Sequence, residues 1–270
     1  MIDSVRPIST NAFARLAGAY QENRPGYPNQ LLSVLAERAR SQVEQGAWTA
    51  DFLAIDVGAG TGISTRQLAG ALSLTCQVVG IEPNTEMLQE ARAGGGPPNL
   101  RKYLDGTAEN LPFDAGTASL VVAAQAVQWF DRPRYYAEAL RVLRPVGIIA
   151  VIQNNRSWEC SAFLDHYEDL LERYSPGYTR EYRDIDFLTE FEVAGFAHCE
   201  LHQCDWVRAM SVPAFIGMAK SSTKFAAAVQ THGEDVVLGA LIHLIKSAKR
   251  DEDLLPIRYH SELFMAWRPL

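Results

Sequence analysis

Leu53-Ala54-Ile55-Asp56-Val57-Gly58-Ala59-Gly60-Thr61-Gly62 decides how this chain is read. A short apolar run stops abruptly in three alternating glycines, and a helical pattern follows over 64–72. That order predicts a buried parallel strand, a tight turn and a helix N-terminus. Glycine is needed where the backbone takes positive φ, or where a ligand lies against the chain with no Cβ between them. The free N–H groups of such a turn bind polar and anionic groups.

Spacing narrows the ligand. A dinucleotide fingerprint, G-x-G-x-x-G, needs its last glycine or alanine at position 63, where this chain has Ile63; the third glycine falls one residue early, at Gly62. A second apolar run, Val78-Val79-Gly80-Ile81, ends in Glu82-Pro83, with Glu82 placed 20 residues after Gly62. An acid there can accept both hydroxyls of a nucleoside ribose and disfavours a 2′-phosphate. The two strands together predict an adenosyl ligand without a pyrophosphate.

The residues from Asp56 to Gly62, followed by Gly80-Ile81-Glu82-Pro83, resemble motif I and its successor in class I S-adenosylmethionine-dependent methyltransferases. Further stretches are similar to the methyltransferase-11 and trans-aconitate methyltransferase-like small-molecule group. Residues 20–28 resemble its Y-x-x-x-R-P-x-Y-P opening, and Gly106-Thr107-Ala108-Glu109-Asn110-Leu111-Pro112-Phe113 matches a second pattern. Gln125-Ala126-Val127-Gln128-Trp129-Phe130-Asp131 matches a third, with Gln128 where many members carry histidine. Met218-Ala219-Lys220-Ser221-Ser222 resembles a segment that faces the pocket in that group.

The resemblance covers most of the chain and implies an α/β, Rossmann-like fold. Its sheet would have seven mostly parallel strands with one antiparallel edge strand, helices on both faces and a helical lid insertion after strand 5. One domain would span 1–270, with an N-terminal lid at 1–28 and an acceptor-side insertion at about 154–194. The cofactor implied is S-adenosyl-L-methionine, and the partner is a small-molecule acceptor. Cofactor contacts are implied at Arg24, Asp56, Gly58, Ala59, Gly60, Glu82, Pro83, Met87, Thr107, Ala108, Glu109, Gln125 and Ala126. Ala108 and Glu109 would lie against the adenine, whose exocyclic amine donates to a carboxylate that only accepts. Asp56 would order the N–H groups of the loop or meet the amino group of the methionine moiety. Tyr20, Gln128 and Trp129 take the catalytic positions.

Composition sets the outer bounds. The 270 residues have ordinary apolar and charged fractions for a globular protein. A net charge of −7 and a pI near 5.4 argue against a nucleic-acid partner, which would demand a basic face. Neither an apolar run of about 18 residues nor a charged-then-apolar leader is read, so no membrane partner is expected and a cytoplasmic protein is the default. Oligomeric state is left open. Cys76, Cys160, Cys199 and Cys204 lack C-x-x-C spacing and read as reduced, mostly packed thiols, with no metal site. Cys199 and Cys204, at odd separation on one strand, would face opposite ways.

Elsewhere, periodicity and punctuation set the elements. Residues 25–28 hold two prolines and a glycine, which make a rigid turn, and Asn29 is expected to cap a helix to Gln45. Asn84 should cap a helix over 85–92, strand 3 should span 100–104, and 119–124 should be the central strand beside the first. Asp131 with Pro133 should start a helix to Leu143, with strand 5 over 148–153. Trp158, Phe163, Tyr167, Leu170, Leu171 and Tyr174 fall at helical spacing, and a short helix follows near 187–194. The remainder reads strand (196–208), helix from Ser211, helix (234–249) and strand (257–267), the two strands forming an antiparallel edge.

Methyl transfer from a sulfonium is an in-line displacement in which the enzyme chiefly holds the acceptor about 3 Å from the methyl. A carboxylate needs no base at neutral pH, whereas an alcohol or phenol does. A histidine at 128 could act as a base; Gln128 can only orient. The reading therefore leans to a carboxyl oxygen, then a hydroxyl. Arg180, Arg183 and Lys220 are the candidates to grip an acidic acceptor. A silent binding module of the same fold and a nicotinamide-dependent oxidoreductase are the alternatives, the latter disfavoured by Ile63.

Overall fold

The computed structural model describes residues 24–248 and 254–270. Its frame is a seven-stranded sheet in the order β3-β2-β1-β4-β5-β7-β6. The strands are β1 (Leu53–Val57), β2 (Gln77–Ile81), β3 (Leu100–Leu104), β4 (Ala118–Ala124), β5 (Leu143–Arg156), β6 (Ala197–Ser211) and β7 (Leu254–Trp267). The first five pair in parallel; β7 runs antiparallel to both β5 and β6. The reversed strand thus lies one place in from the edge, and β6 is the edge itself.

Helices cover both faces. On one, α1 (Asn29–Glu44) and α2 (Ile63–Ala71) pack Leu31, Leu35 and Leu68 on Ala54, Val78 and Leu120. On the other, α4 (Arg132–Val142) and α6 (Phe187–Ala194) pack Tyr135, Ala139, Phe187 and Phe191 on Ile55, Val121 and Val151. Strands β1 and β4 are buried on both sides, which is why they read as continuous apolar runs. Between them in sequence, α3 (Thr85–Ala93) leans on β3 through Leu88, Ala91 and Tyr103.

Beyond the common sheet, β5, β6 and β7 continue as a long ribbon that carries a third core. It joins α5 (Ala162–Tyr174) to α7 (Val212–Lys220), α8 (Thr223–His232) and α9 (Glu234–Ala248), around Tyr167, Phe215, Leu241 and Tyr259. This cap departs from the insertion expected at 154–194. Of the two helices in that stretch only α5 enters it, with Trp158, Tyr178 and Tyr182 beside it, because the apolar side of α6 is spent on the sheet, and three further helices come from between β6 and β7.

Smaller corrections follow from the same packing. Pro28, not Asn29, occupies the N-cap of α1, and Asn29 is already helical. Asn84 caps α3 as expected, its Oδ1 accepting from the Met87 N–H at 2.9 Å. Cys199 faces α6, with its thiol toward the Leu188 carbonyl, while Cys204 faces Gln30 in α1. Tyr20 and most of the N-terminal lid lie outside the described residues.

Candidate functional site

The turn after β1 needs its glycines. Gly58, Gly60 and Gly62 all take positive φ, at 73°, 55° and 84°. At Gly58 an added Cβ would sit 2.5 Å from the Ala126 Cβ, so the loop after β4 closes directly over the loop after β1. At Gly60 the only atom among the described residues near an added Cβ is the Met87 sulfur, at 3.8 Å. That open face is where a ligand can lie on bare backbone.

Two buried acids organise the loop. Glu82 accepts from the Gly60 N–H at 2.8 Å through one oxygen and from the Asn84 N–H at 2.9 Å through the other. Each oxygen keeps a second lone pair, so the carboxylate can still receive a ligand's hydroxyls. Burial pushes its pKa up, while the two N–H donors pull it back. Asp56 does not order the loop N–H groups, as one sequence-based expectation held. Its Oδ2 takes the Ser64 and Thr65 hydroxyls, each at 2.6 Å, because the first turn of α2 presents those side chains to the end of β1. Its Oδ1 is buried without a partner. Burial raises the Asp56 pKa from 3.8 to about 6, against the pull of the two hydroxyls.

The residues present therefore fit an adenosyl cofactor with a cationic tail. A Cβ-free cradle lies at Gly60, a shared acid at Glu82, and orphaned buried oxygens at Asp56 Oδ1 and Thr61 Oγ1. Met87 is buried beside this cradle, Ala108 is buried, and Pro83 and Thr107 are exposed. One oxygen of Glu109 accepts from the Asp131 N–H at 2.9 Å, leaving the other for a donor such as an amine.

The loop after β4 forms the second wall. Gln125 holds φ at 53°, a left-handed conformation that a side-chain-bearing residue adopts only under constraint. Its N–H stays in the sheet with the Ile152 carbonyl at 2.9 Å, and its own carbonyl accepts from Gln128 Nε2 at 2.8 Å. The Oε1 atoms of both glutamines are buried without partners. Ala126 is buried against Gly58, and Trp129 is 39 % exposed with the Lys224 ammonium 5.4 Å from its ring centroid.

Residues 24–28 bridge three elements. Tyr27 exchanges two hydrogen bonds with the Gln67 amide, at 2.8 and 3.0 Å. The Gly26 carbonyl accepts from Asn154 Nδ2 at 3.2 Å, and Arg24 donates to the Ser221 carbonyl at 3.3 Å. The segment is thus pinned to α2, to β5 and to the end of α7.

Two of the expected anion grips are already neutralised. Arg180 binds Asp165, Asp169 and Glu172 at 2.5–2.8 Å, and Lys220 binds Glu234 at 2.7 Å. Helical spacing in α5 puts all three acids on the side that Arg180 reaches, so it fastens the cap. Among the described residues Arg183 donates one hydrogen bond, to Asn155 at 3.3 Å, and meets no acid. Lys224, Tyr182 and Gln153 were not singled out in the sequence. An amide closing the apolar run of β5 was the one available signal, at Gln153. Among the described residues, no grouping of His, Cys, Asp and Glu could hold a metal, and no helix is long and apolar enough to cross a membrane.

Comparison with known proteins places this geometry. A family model described as "Methyltransferase domain" matches residues 55–151, which run from β1 into β5. An uncharacterized methyltransferase of Mycobacterium tuberculosis is 31 % identical over 211 residues, covering 78 % of this chain and 76 % of the relative. A solved structure described as a type II methyltransferase candidate, from Anaeromyxobacter dehalogenans, superposes with a TM-score of 0.63 at 23 % identity, covering 90 % of this chain and 97 % of that one. Haemonchus contortus phosphoethanolamine N-methyltransferase 2, solved with S-adenosyl-L-methionine, gives 0.51 at 18 % identity, covering 100 % of this chain and 59 % of that one.

Proposed function

This chain belongs to the class I S-adenosylmethionine-dependent methyltransferases, and from that premise we propose that it methylates an oxygen of a small-molecule acceptor. The acceptor lies over the carboxyl ends of β4 and β5, the end at which ligands bind in open α/β sheets. Bound S-adenosylmethionine supplies an electrophilic methyl on a sulfonium. Glu82 holds the ribose hydroxyls, and the orphaned Asp56 Oδ1 meets the cationic tail, directly or through one water. The backbone at Gly58–Ala59–Gly60 and the half-free carboxylate of Glu109 complete the cofactor's seat, with Met87 and Ala108 beside the base. Arg24, held to Ser221, closes the near side.

Gln128 carries the reading of the acceptor. Its amide nitrogen is fixed by the Gln125 carbonyl, and its oxygen is left buried and unpartnered for a ligand to meet. Such a group orients an acceptor but takes no proton from it. An oxygen already ionised at neutral pH, a carboxylate, suits it best. A hydroxyl is the second reading, because Gln128 Oε1 can receive and align an O–H. Trp129 supplies a ring face at the mouth. Calorimetry with S-adenosylmethionine and with NAD, followed by methyl transfer to a panel of carboxylic acids and matched alcohols, tests the proposal. Tight binding of the first cofactor alone and preferential turnover of acids are expected. Turnover of alcohols only would move the assignment to the hydroxyl.

A further inference from the structure

We infer that Arg183 and Lys224 form a clamp for an anionic oxygen group, carboxylate or phosphate, on the acceptor, an assignment that rests on the methyl-transfer reading for the identity of the bound molecule. Several partly buried arginines have met an acid, while Arg66 and Arg144, like Arg183, each keep a buried nitrogen without a partner. Arg156 binds Glu168, Arg132 binds Glu190, Arg141 binds Glu138, and Arg180 binds three carboxylates. Arg183 and Lys224 have none within ion-pair distance among the described residues, although both are half-buried. A cation withdrawn from water without a counter-charge is costly, so proteins pair it or hold it for a ligand.

The two cations converge. The Arg183 guanidinium lies 4.7 Å from the centroid of Tyr182, and the Lys224 ammonium lies 4.5 Å from the same ring. Trp129 and Tyr178 flank the ammonium at 5.4 and 5.8 Å. Ring faces attract cations but supply no full negative charge. Burial and the neighbouring Arg183 pull the Lys224 pKa down, as expected of like charges awaiting an anion. The Arg183 Nε is buried without a partner, leaving one edge of the guanidinium fork unused.

Each cation is tied to an element of the proposed site. Lys224 reaches it through Trp129, the neighbour of Gln128. Arg183 reaches it through Asn155, two residues along β5 from Gln153 and so on the same face. Gln153 is 1 % exposed, and neither its Nε2 nor its Oε1 has a partner. Buried amides left wholly unpaired are uncommon and point to a missing hydrogen-bonding molecule. Two cations without an acid, linked through Asn155 and Trp129 to strands and loops that carry orphaned amides, suit a polar anion.

Titration of succinate and of inorganic phosphate into the full chain saturated with S-adenosylhomocysteine tests the clamp. One of the two should bind, succinate for a carboxylate group and phosphate for a phosphoryl group. Arg183→Gln and Lys224→Gln should each weaken that binding by about 10- to 100-fold, the range for a lost charged hydrogen bond. Arg40→Gln, on the exposed Arg40–Glu44 pair of α1, should not. The S-adenosylmethionine Kd serves as the folding check and should hold in all three. Silence toward both anions, or equal affinity in the two neutral variants, overturns the clamp. Clamp-dependent anion binding without methyl transfer to any acid would retain the clamp and remove the methyl-transfer reading. Transfer to neutral acceptors with KM unmoved by Arg183→Gln would do the reverse.

Discussion

In the cofactor half, polar groups find partners close by in sequence. Asp56 meets Ser64 and Thr65, 8 and 9 residues on, and Glu82 meets Asn84 and Gly60, 2 and 22 residues away. In the cap half, the decisive contacts join distant elements. Asn154 meets Ser261 across 107 residues, and Lys224 on α8 faces Trp129 after β4. The cofactor is a constant molecule, and a glycine turn with two strand-end acids can be built for it once. The acceptor varies, and its contacts come from side chains that only tertiary packing brings together. The halves should therefore fail separately when mutated.

The largest separate failure is expected at the cap's buried ion pair. Arg156 Nη2 lies 2.7 Å from Glu168 Oε1, and the other Glu168 oxygen accepts from the Tyr178 hydroxyl at 2.5 Å. Arg156→Met leaves the Glu168 carboxylate, 2 % exposed, without its counter-charge, which should cost about 3–5 kcal/mol. Hydrogen exchange should show the loss in α5 and α8, with β1 and β2 still protected and S-adenosylmethionine still bound. Equal loss of protection in the β1 region would show that cap and sheet unfold as one unit.

The same contrast explains what could be read from sequence. Strand β3 and helix α6 begin and end where periodicity put them, at Leu100–Leu104 and Phe187–Ala194, and the glycine loop announced its own turn. The outer ends of β5 to β7 were under-read. Asn154, Asn155 and Arg156 break the apolar run, yet they pair with Ser261, His260 and Tyr259, a ribbon held by its neighbours rather than by burial on both faces. Helix α8 was missed for a related reason: of its ten residues only Phe225 and Ala228 are fully buried. Nor can a sequence tell Arg180 from Arg183, or Lys220 from Lys224. Each pair is two basic residues a few positions apart, and only the fold assigns an acid to one and none to the other.

The next effect belongs to the cofactor half and depends on pH. Folding raises the Asp56 pKa from 3.8 to about 6, so the folded chain holds a proton that the unfolded chain releases. Stability from this group is complete below pH 3.8 and is lost as pH rises through 6, by about 3 kcal/mol. Urea unfolding from pH 4 to 7 should show that decline in the difference between wild type and Asp56→Asn. With a cationic ligand group near Oδ1 the sign reverses for binding, and S-adenosylmethionine affinity should rise through the same window. A difference curve flat with pH would place Asp56 in a wetter site than its burial indicates.

At Glu82 the effect should be on the ligand. Glu82→Ala removes the acceptor for the ribose and also releases the Gly60 and Asn84 N–H groups. S-adenosylmethionine binding should weaken by about 1.5–3 kcal/mol, the range for hydrogen bonds to a charged group. Calorimetry on the folded variant measures it, and an unchanged Kd would detach Glu82 from the cofactor.

The smallest effect tests the seam between the halves. Gln67 on α2 both accepts from the Tyr27 N–H and donates to the Tyr27 carbonyl, so one amide fixes residues 24–28 to the cofactor half. Asn154 and Ser221 fix the same residues to β5 and to the cap through Gly26 and Arg24. Gln67→Ala leaves the cap attachments and cuts only the cofactor side. Two neutral hydrogen bonds at a half-buried site are worth about 1–2 kcal/mol together, and water recovers part of that. A loss near 1 kcal/mol in urea unfolding is therefore expected. If residues 24–28 close over the bound cofactor, freeing one end should also raise the S-adenosylmethionine Kd several-fold, because the segment must then be ordered at the expense of binding. Acceptor KM should stay near wild type, since Arg24 remains on Ser221. A changed KM with an unchanged Kd would assign the segment to the cap, and the division between a locally built cofactor half and a tertiary acceptor half would then run between Gln67 and Tyr27.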